Sequence, residues 1–395
     1  MSDNIFDRLF ELFQAPGPIN WKLAAEVRKS IVGEPEVIDP TLADAYAELA
    51  HAAQLQLDPA THLDLTTTGR IHPVDATVWA NDNEQSFAYA LEPLADTLLG
   101  SNTGTDPLSQ MLGPMAPAVL GMQAGTMVGF MSQRVLGQFD TGLPALDHNE
   151  VYLIIPNIED FATHNDLDPQ QVRMWAVGHA VVYRALLSLE WIRRHITDVV
   201  TRYYAGVEFD SSGLTDALAK MDDVSGIEQA MGGGGSLADL LGVKTDQTRL
   251  GPVQALFASI DGYVDHVVRS AFGDLLPQLP RIDEAIDRRR TEPDEASQFL
   301  REVVGLDLDR TRSRDAARLF AELAERWGDE SLERVWDNPD NLPTLDELTD
   351  PVGWVARVML DTNAFDFGID DLDALGEGAR EEDETSDNDE DSPSA

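Results

Sequence analysis

The 395-residue chain sets 28 Lys and Arg against 71 Asp and Glu, for a formal net charge of −43, and 43% of it is hydrophobic. That apolar fraction supports a sizeable core and the length admits two or three domains of roughly 100–200 residues, while the charge repels phosphate backbones and anionic lipid, excluding nucleic acid and membrane surfaces as partners. The absence of cysteine removes disulfides, thiolate nucleophiles and thiolate metal ligands, and with an N-terminus lacking the basic and apolar stretches of a secretory signal it points to a cytoplasmic protein.

Ile5, Leu9, Phe10 and Phe13 have helical spacing, and Pro16-Gly17-Pro18 stops the run. Amphipathic helices are predicted over 21–31 and 42–57, so the first 105 residues or so form a helical part that is a candidate separate lobe. Residues 111–131 are nearly uncharged and about long enough to cross a bilayer. Pro114 and Pro117 limit the helix to roughly 117 onward, and five methionines suit an irregular soluble core. The stripe Gly121, Gly125, Gly129 predicts a buried helix closely approached by a neighbour. A strand is expected at 151–155, closed by Pro156-Asn157.

Asp168 and Pro169 supply a cap and a first helical residue for the longest helical pattern, 168–205, which is one bent helix or two. The glycine run 231–236 reads as a loop; no strand precedes it and no Gly-Lys-Ser/Thr follows, so it is not a phosphate cradle. Pro252 opens a predicted helix over 252–272. The helix at 281–290 ends in Arg288-Arg289-Arg290, expected to pair with nearby carboxylates. Further helices are predicted at 293–303 and 313–327. Asp361-Thr362-Asn363 starts like a calcium loop, but an apolar fifth position and a misplaced glycine argue against one. The run 376–395 has almost nothing apolar to bury and is expected to be a disordered acidic tail behind a 1–375 domain.

No Gly-x-Ser-x-Gly elbow, Walker loop or His-Glu-x-x-His occurs. Trp175, His179 and Tyr183 are four apart and share one helix face, as do Asp261 and Asp265 on the later helix. By themselves the first three read as a core stripe with a hydrogen-bonded histidine, and the two carboxylates as solvent-facing.

The segment Met174-Trp175-Ala176-Val177-Gly178-His179-Ala180-Val181-Val182-Tyr183 resembles the metal helix of the zincin-like metallopeptidase family, also labelled hydrolases and in part linked to deazaflavin-cofactor biosynthesis. Gly113-Pro114 through Gly137-Gln138-Phe139-Asp140, Ile260-Asp261-Gly262-Tyr263-Val264-Asp265-His266-Val267, Arg288-Arg289-Arg290, Val304-Gly305-Leu306-Asp307-Leu308 and Trp336-Asp337-Asn338-Pro339-Asp340-Asn341-Leu342-Pro343 match further family stretches in order. The resemblance covers about residues 1–355. It implies a mainly α fold with a small β-sheet, the 252–272 helix beside the 168–205 helix, and His179 facing Asp261.

The resemblance also implies zinc, which needs two imidazoles a helical turn apart, a third ligand and a glutamate to deprotonate the bound water. His179 matches the first histidine. Ala180 stands for the glutamate, Tyr183 for the second histidine and Asp261 for a glutamate ligand. Losing the base alone costs ~10²–10⁴ in rate. The expectation is therefore a site vestigial at His179, Tyr183 and Asp261, with no catalytic residue and no bound cofactor. The chain is read as a pseudo-peptidase or a module binding an unknown peptide or protein. The alternative is a metal-dependent hydrolase rebuilt on His179, Tyr183 and Asp261 or Asp265.

Overall fold

Asp and Asn side chains start most of the N-terminal helices by accepting from the unpaired N–H groups of the first turn, an exchange worth ~1 kcal/mol each. In the computed structural model, which describes residues 17–101, 116–140, 142–146, 150–209, 243–244, 247–292, 301, 306, 308 and 311–360, Asn20 so caps helix α1 (Trp21–Val32) and Asp39, ahead of Pro40, caps α2 (Pro40–Leu57). Strand β1 (Ile71–Val74) follows, and Asp75 caps α3 (Ala76–Asn83). Next come α4 (Ala88–Ser101) and the glycine-striped α5 (Ala116–Ser132). The helical spacing at 5–13, the glycine run 231–236, most of the 293–303 helix, the calcium-like stretch from Asp361 and the acidic tail lie outside the described residues.

Strand β2 (Val151–Ile154) runs straight into α6 (Ile155–His164), so the strand ends one residue earlier than predicted. It pairs in parallel with β1, Ile71 against Val151 through Val74 against Ile154. On its other side Gly137 forms an antiparallel bridge to Leu153, and Ile154 N–H donates to Leu136 O (2.9 Å). Gln138 completes that edge with its side chain, donating to Glu150 O (3.0 Å) and accepting from Tyr152 N–H (2.7 Å). These bonds hold residues 136–140 flat against the strand.

The long helical pattern resolves into α7 (Pro169–Leu187) and α8 (Glu190–Tyr204). At the break the freed carbonyls find side chains: Ser188 Oγ donates to Arg184 O (2.9 Å) and Arg193 Nε to Leu187 O (2.9 Å). Every residue of α7 from Met174 to Leu187 is buried, so this helix is enclosed on all sides. At ~1.5–3 kcal/mol per large apolar side chain, it is a major source of core stability.

A two-residue antiparallel pair, β3 (Glu208–Phe209) and β4 (Val243–Lys244), precedes α9 (Gln247–Phe272). That helix starts five residues before Pro252, not at it; the proline removes one backbone donor near the N-terminal end without stopping the helix. Then follow α10 (Leu279–Thr291), α11 (Arg312–Trp327) and α12 (Asp329–Val335). The predicted stripe of α11, Ala316, Leu319, Phe320 and Leu323, is buried. Backbone contacts divide the chain into two units, Met1–Pro351 and Val352–Ala395; the described part of the second consists of all but the first residue of α13 (Pro351–Val358) and two residues beyond.

Glycines set the close helix crossings. A Cβ on Gly121 would lie 2.3 Å from Asn20 O, and one on Gly125 2.2 Å from Ala24 O, so α5 lies directly on the backbone of α1. Gly178 similarly admits the Phe272 ring of α9 against α7, and Gly262 admits the backbone of α11 at Ala317. A buried Tyr46 donates to Glu159 (2.8 Å), which also takes both arms of Arg173, tying α2, α6 and α7 together. Among the described residues no helix is long and apolar enough to cross a membrane.

Candidate functional site

Trp175, His179 and Tyr183 form one face of α7, one turn apart, with ring centroids 5.1 Å between the first two and 5.8 Å between the last two. The glycine crossings bring α9 against this face with Asp261 and Asp265, and bring α11 up behind Asp261. Phe139, held by the β2 edge, stacks on Tyr183 with centroids 4.8 Å apart and planes 4° from parallel.

Asp261 of α9 meets one polar side chain from α7 and one from α11. Tyr183 Oη donates to Asp261 Oδ1 (3.1 Å), and Ser313 Oγ of α11 lies 3.5 Å from Asp261 Oδ2. One turn along, His179 Nε2 stands 3.9 Å from Asp265 Oδ1, too far for a hydrogen bond, and has no hydrogen-bond partner. The carboxylate nearest His179 is thus Asp265, while Asp261 is engaged by the tyrosine.

Arg290, from the last turn of α10, fills the position opposite Asp265. Its Nη1 and Nη2 donate to the two carboxylate oxygens at 2.6 and 3.3 Å, a two-armed, almost fully buried ion pair. Its neighbour Arg289 takes Asp140 and Arg134 O, and Arg288 takes Asn165. Arg289 and Arg290 therefore meet carboxylates as predicted, whereas Arg288 donates to the Asn165 side-chain amide, and each arginine reaches a different part of the chain. Burial works against the Asp265 charge, yet Arg290 prevails and holds that carboxyl below the usual range. Burial pushes the His179 imidazole below its ordinary value, with Asp265 opposing and Arg290 adding to the shift, so at neutral pH it is uncharged.

The space beside His179 is a cavity of about 20 Å³ lined by Ala176, Ala180, Trp175 and residues 136–140. That is room for about one water molecule and none for a peptide. The methyl of Ala180 faces it where a proton acceptor would have to be.

These residues do not fit zinc. One imidazole is offered; the phenol of Tyr183 and the carboxylate of Asp261 are spent on each other; Asp265 is spent on Arg290. Among the described residues no group of three or more His, Asp or Glu side chains is placed to hold a metal ion. The partner of Asp265 was not legible in the sequence, because Arg290 comes from another helix and gave no signal beyond its place in a basic triplet.

A mainly helical domain with, among the described residues, two small two-stranded sheets, and a buried helix carrying Trp-x-x-x-His against a second helix carrying Asp-Gly-Tyr-Val-Asp, is a zincin-like fold. The sequence profile of the zincin-like metallopeptidase family matches residues 19–355, and the chain belongs to that family. The fold is shared with a crystal structure from Chloroflexus aurantiacus provisionally described as a hydrolase with a novel fold. The two have a TM-score of 0.61 and 21% identity over 87% of this chain and 99% of that one. No curated protein is significantly similar to it.

Proposed function

We propose that this protein is a non-catalytic member of its family, a pseudo-peptidase that binds a peptide or protein segment without cleaving it, at a surface other than the closed space beside His179. The observation that carries this reading is the Tyr183–Asp261 hydrogen bond of 3.1 Å: two positions matching metal ligands satisfy each other. Ala180 adds that no general base stands between them, a loss of ~10²–10⁴ in rate by itself.

The rebuilt-hydrolase alternative draws on the convergence of His179, Tyr183, Asp261 and Asp265. It is disfavoured on space and on charge. A cavity of about 20 Å³ beside a buried imidazole admits a water but no substrate, and Asp265 is neutralised by Arg290. Neither carboxylate is free to serve as a base.

The test is elemental analysis of the purified protein combined with a peptidase and esterase screen in Zn²⁺, Mn²⁺ and Co²⁺. The expected result is zinc far below one per chain and no turnover with any metal. Near-stoichiometric zinc, with turnover abolished by His179→Ala, overturns the proposal.

A further inference from the structure

Helices α4 and α8 pack against each other, yet the faces they turn together on one side are polar and leave a hollow. Tyr89, Glu92 and Asp96 fall at i, i+3 and i+7 on α4, and Thr197, Thr201 and Ala205 at i, i+4 and i+8 along α8 and its cap. These faces line a cavity of about 330 Å³, at the lower end of the roughly 300–1,000 Å³ of small-ligand sites. It shares no residue with the cavity beside His179.

The hollow is rich in acceptors, and no basic side chain lines it among the described residues. Glu92 is half-buried and Asp96 exposed, and neither has an ion pair or hydrogen bond among the described residues. Glu84, two turns earlier, is the contrast: Arg28 takes it at 2.5 Å. Pro93 supplies no N–H to Tyr89 O, so the helix leaves that carbonyl without its usual donor. The Tyr89 hydroxyl is buried and has no hydrogen-bond partner. Its phenol is close enough to Tyr204 to act on that residue's ionisation, which directs it from α4 towards α8, across the hollow. Helix α8 ends at Tyr204, so the negative end of its dipole falls at the same place. The stretches that continue the chain beyond the two helices, 102–115 and 208–242, hold one basic residue, Lys220, among several Asp and Glu, so they too are acidic.

We propose that this hollow binds a small primary amine in its ammonium form, the charged head on Glu92, Asp96 and the Tyr89 hydroxyl and the hydrocarbon body against Ala88, Pro93 and Ala205. An ammonium carries three donors on a compact head, which suits two carboxylates and a hydroxyl. Its charge-assisted bonds discriminate it from a neutral isostere of the same shape. A metal ion is the poorer occupant, because two carboxylates fall short of the oxygen shell a hard cation takes, and no third acidic or histidine side chain joins them among the described residues. Burial of the ligand's hydrocarbon supplies the remaining affinity.

The experiment titrates the full-length protein with butylamine and phenethylamine, and with phenethyl alcohol as the neutral analogue, by calorimetry and ligand-observed NMR. Salt at ~0.15 M screens the diffuse charge of the chain beyond ~8 Å. The amines are expected to saturate one site and to bind about tenfold more tightly than the alcohol. Glu92→Gln is expected to weaken the amines by about five- to tenfold and leave the alcohol unmoved. Asp44→Asn, which removes the same charge from an exposed position on α2, is expected to change neither. Tyr89→Phe is expected to weaken the amines by about threefold without lowering the melting temperature, because the hydroxyl it deletes bonds to nothing in the free protein. Thr201→Trp, an exposed substitution that fills the hollow, is expected to abolish binding of all three, with circular dichroism confirming that each variant is folded. Absence of saturation by either amine, equal affinity for amine and alcohol, amine affinity unchanged by Glu92→Gln or Tyr89→Phe, or an equal loss on Asp44→Asn would overturn the proposal.

Discussion

Tyr183 does at residue scale what a metal ligand would otherwise do: it joins α7 to α9 through Asp261. Tyr183→Phe keeps the ring stacked on Phe139 and removes only the hydroxyl from a buried carboxylate. Such a bond to a charged acceptor contributes ~1.5–3 kcal/mol. Chemical denaturation should show a loss of that size, and an unchanged midpoint would mean the bond is incidental. His179 leads to a pH effect whose sign is fixed by burial. Its pKa is lowered from 6.5 in the fold, so the unfolded chain takes up the proton first as pH falls. The stability contributed by the neutral imidazole is present above about pH 6.5 and is lost on acidification. Thermal melts of the parent should therefore decline between pH 7 and 5, and His179→Gln should flatten part of that slope. Two half-buried histidines, His195 and His266, are shifted in the same direction and will add to the slope.

Elements cross closely here because glycines remove the atoms that would keep them apart. Gly125→Ala places a methyl 2.2 Å from a backbone oxygen of α1, which cannot swing away as a side chain can. The helices must separate, at a cost of ~1–3 kcal/mol typical of overpacking. Gly251→Ala is the contrasting case: in α9 its nearest neighbour is Leu345 at 3.9 Å, an ordinary contact. There alanine should stabilise by ~0.5–1 kcal/mol through helix propensity. Opposite signs in the two melting curves are the expected result; two losses of equal size would refute the packing account.

The same elements show what the sequence could and could not disclose. The Gly121, Gly125, Gly129 stripe announced a close neighbour because a four-residue spacing of missing side chains has few other uses, although it could not name α1 as that neighbour. The break between α7 and α8 was hidden, since Ser188, Leu189 and Glu190 contain no Gly or Pro and the repair by Arg193 is visible only in three dimensions. Strand β1 escaped notice because four residues containing Pro73 give almost no period-two signal. At the site, the i, i+4 spacings set His179 with Tyr183 and Asp261 with Asp265. The pairing across helices, tyrosine to Asp261 and Arg290 to Asp265, depends on register between elements some 80 and 25 residues apart, which no local pattern encodes.

For the whole molecule the dominant long-range term is its charge. A net −43 spread over one chain repels itself, and salt shortens the range of that repulsion from ~30 Å at 0.01 M to ~3 Å at 1 M. The melting temperature should rise by several degrees as sodium chloride is increased from ~0.01 to ~0.5 M. A flat response would mean that the internal ion pairs, such as the buried Arg28–Glu84 and Arg290–Asp265, have already neutralised what matters.

The seam between α1 and α5 has a consequence for the cell as well as for the fold. Asn20 N–H donates to Pro117 O (2.8 Å) and Gln133 donates to Ile31 O (2.9 Å), so the two helices are stitched at both ends. A proteolytic nick that released α1 would uncover the glycine face of a helix with no charged residue anywhere along it. To quality-control machinery that strip would read as a stranded membrane segment, and the fragment's fate would be capture by chaperones or degradation.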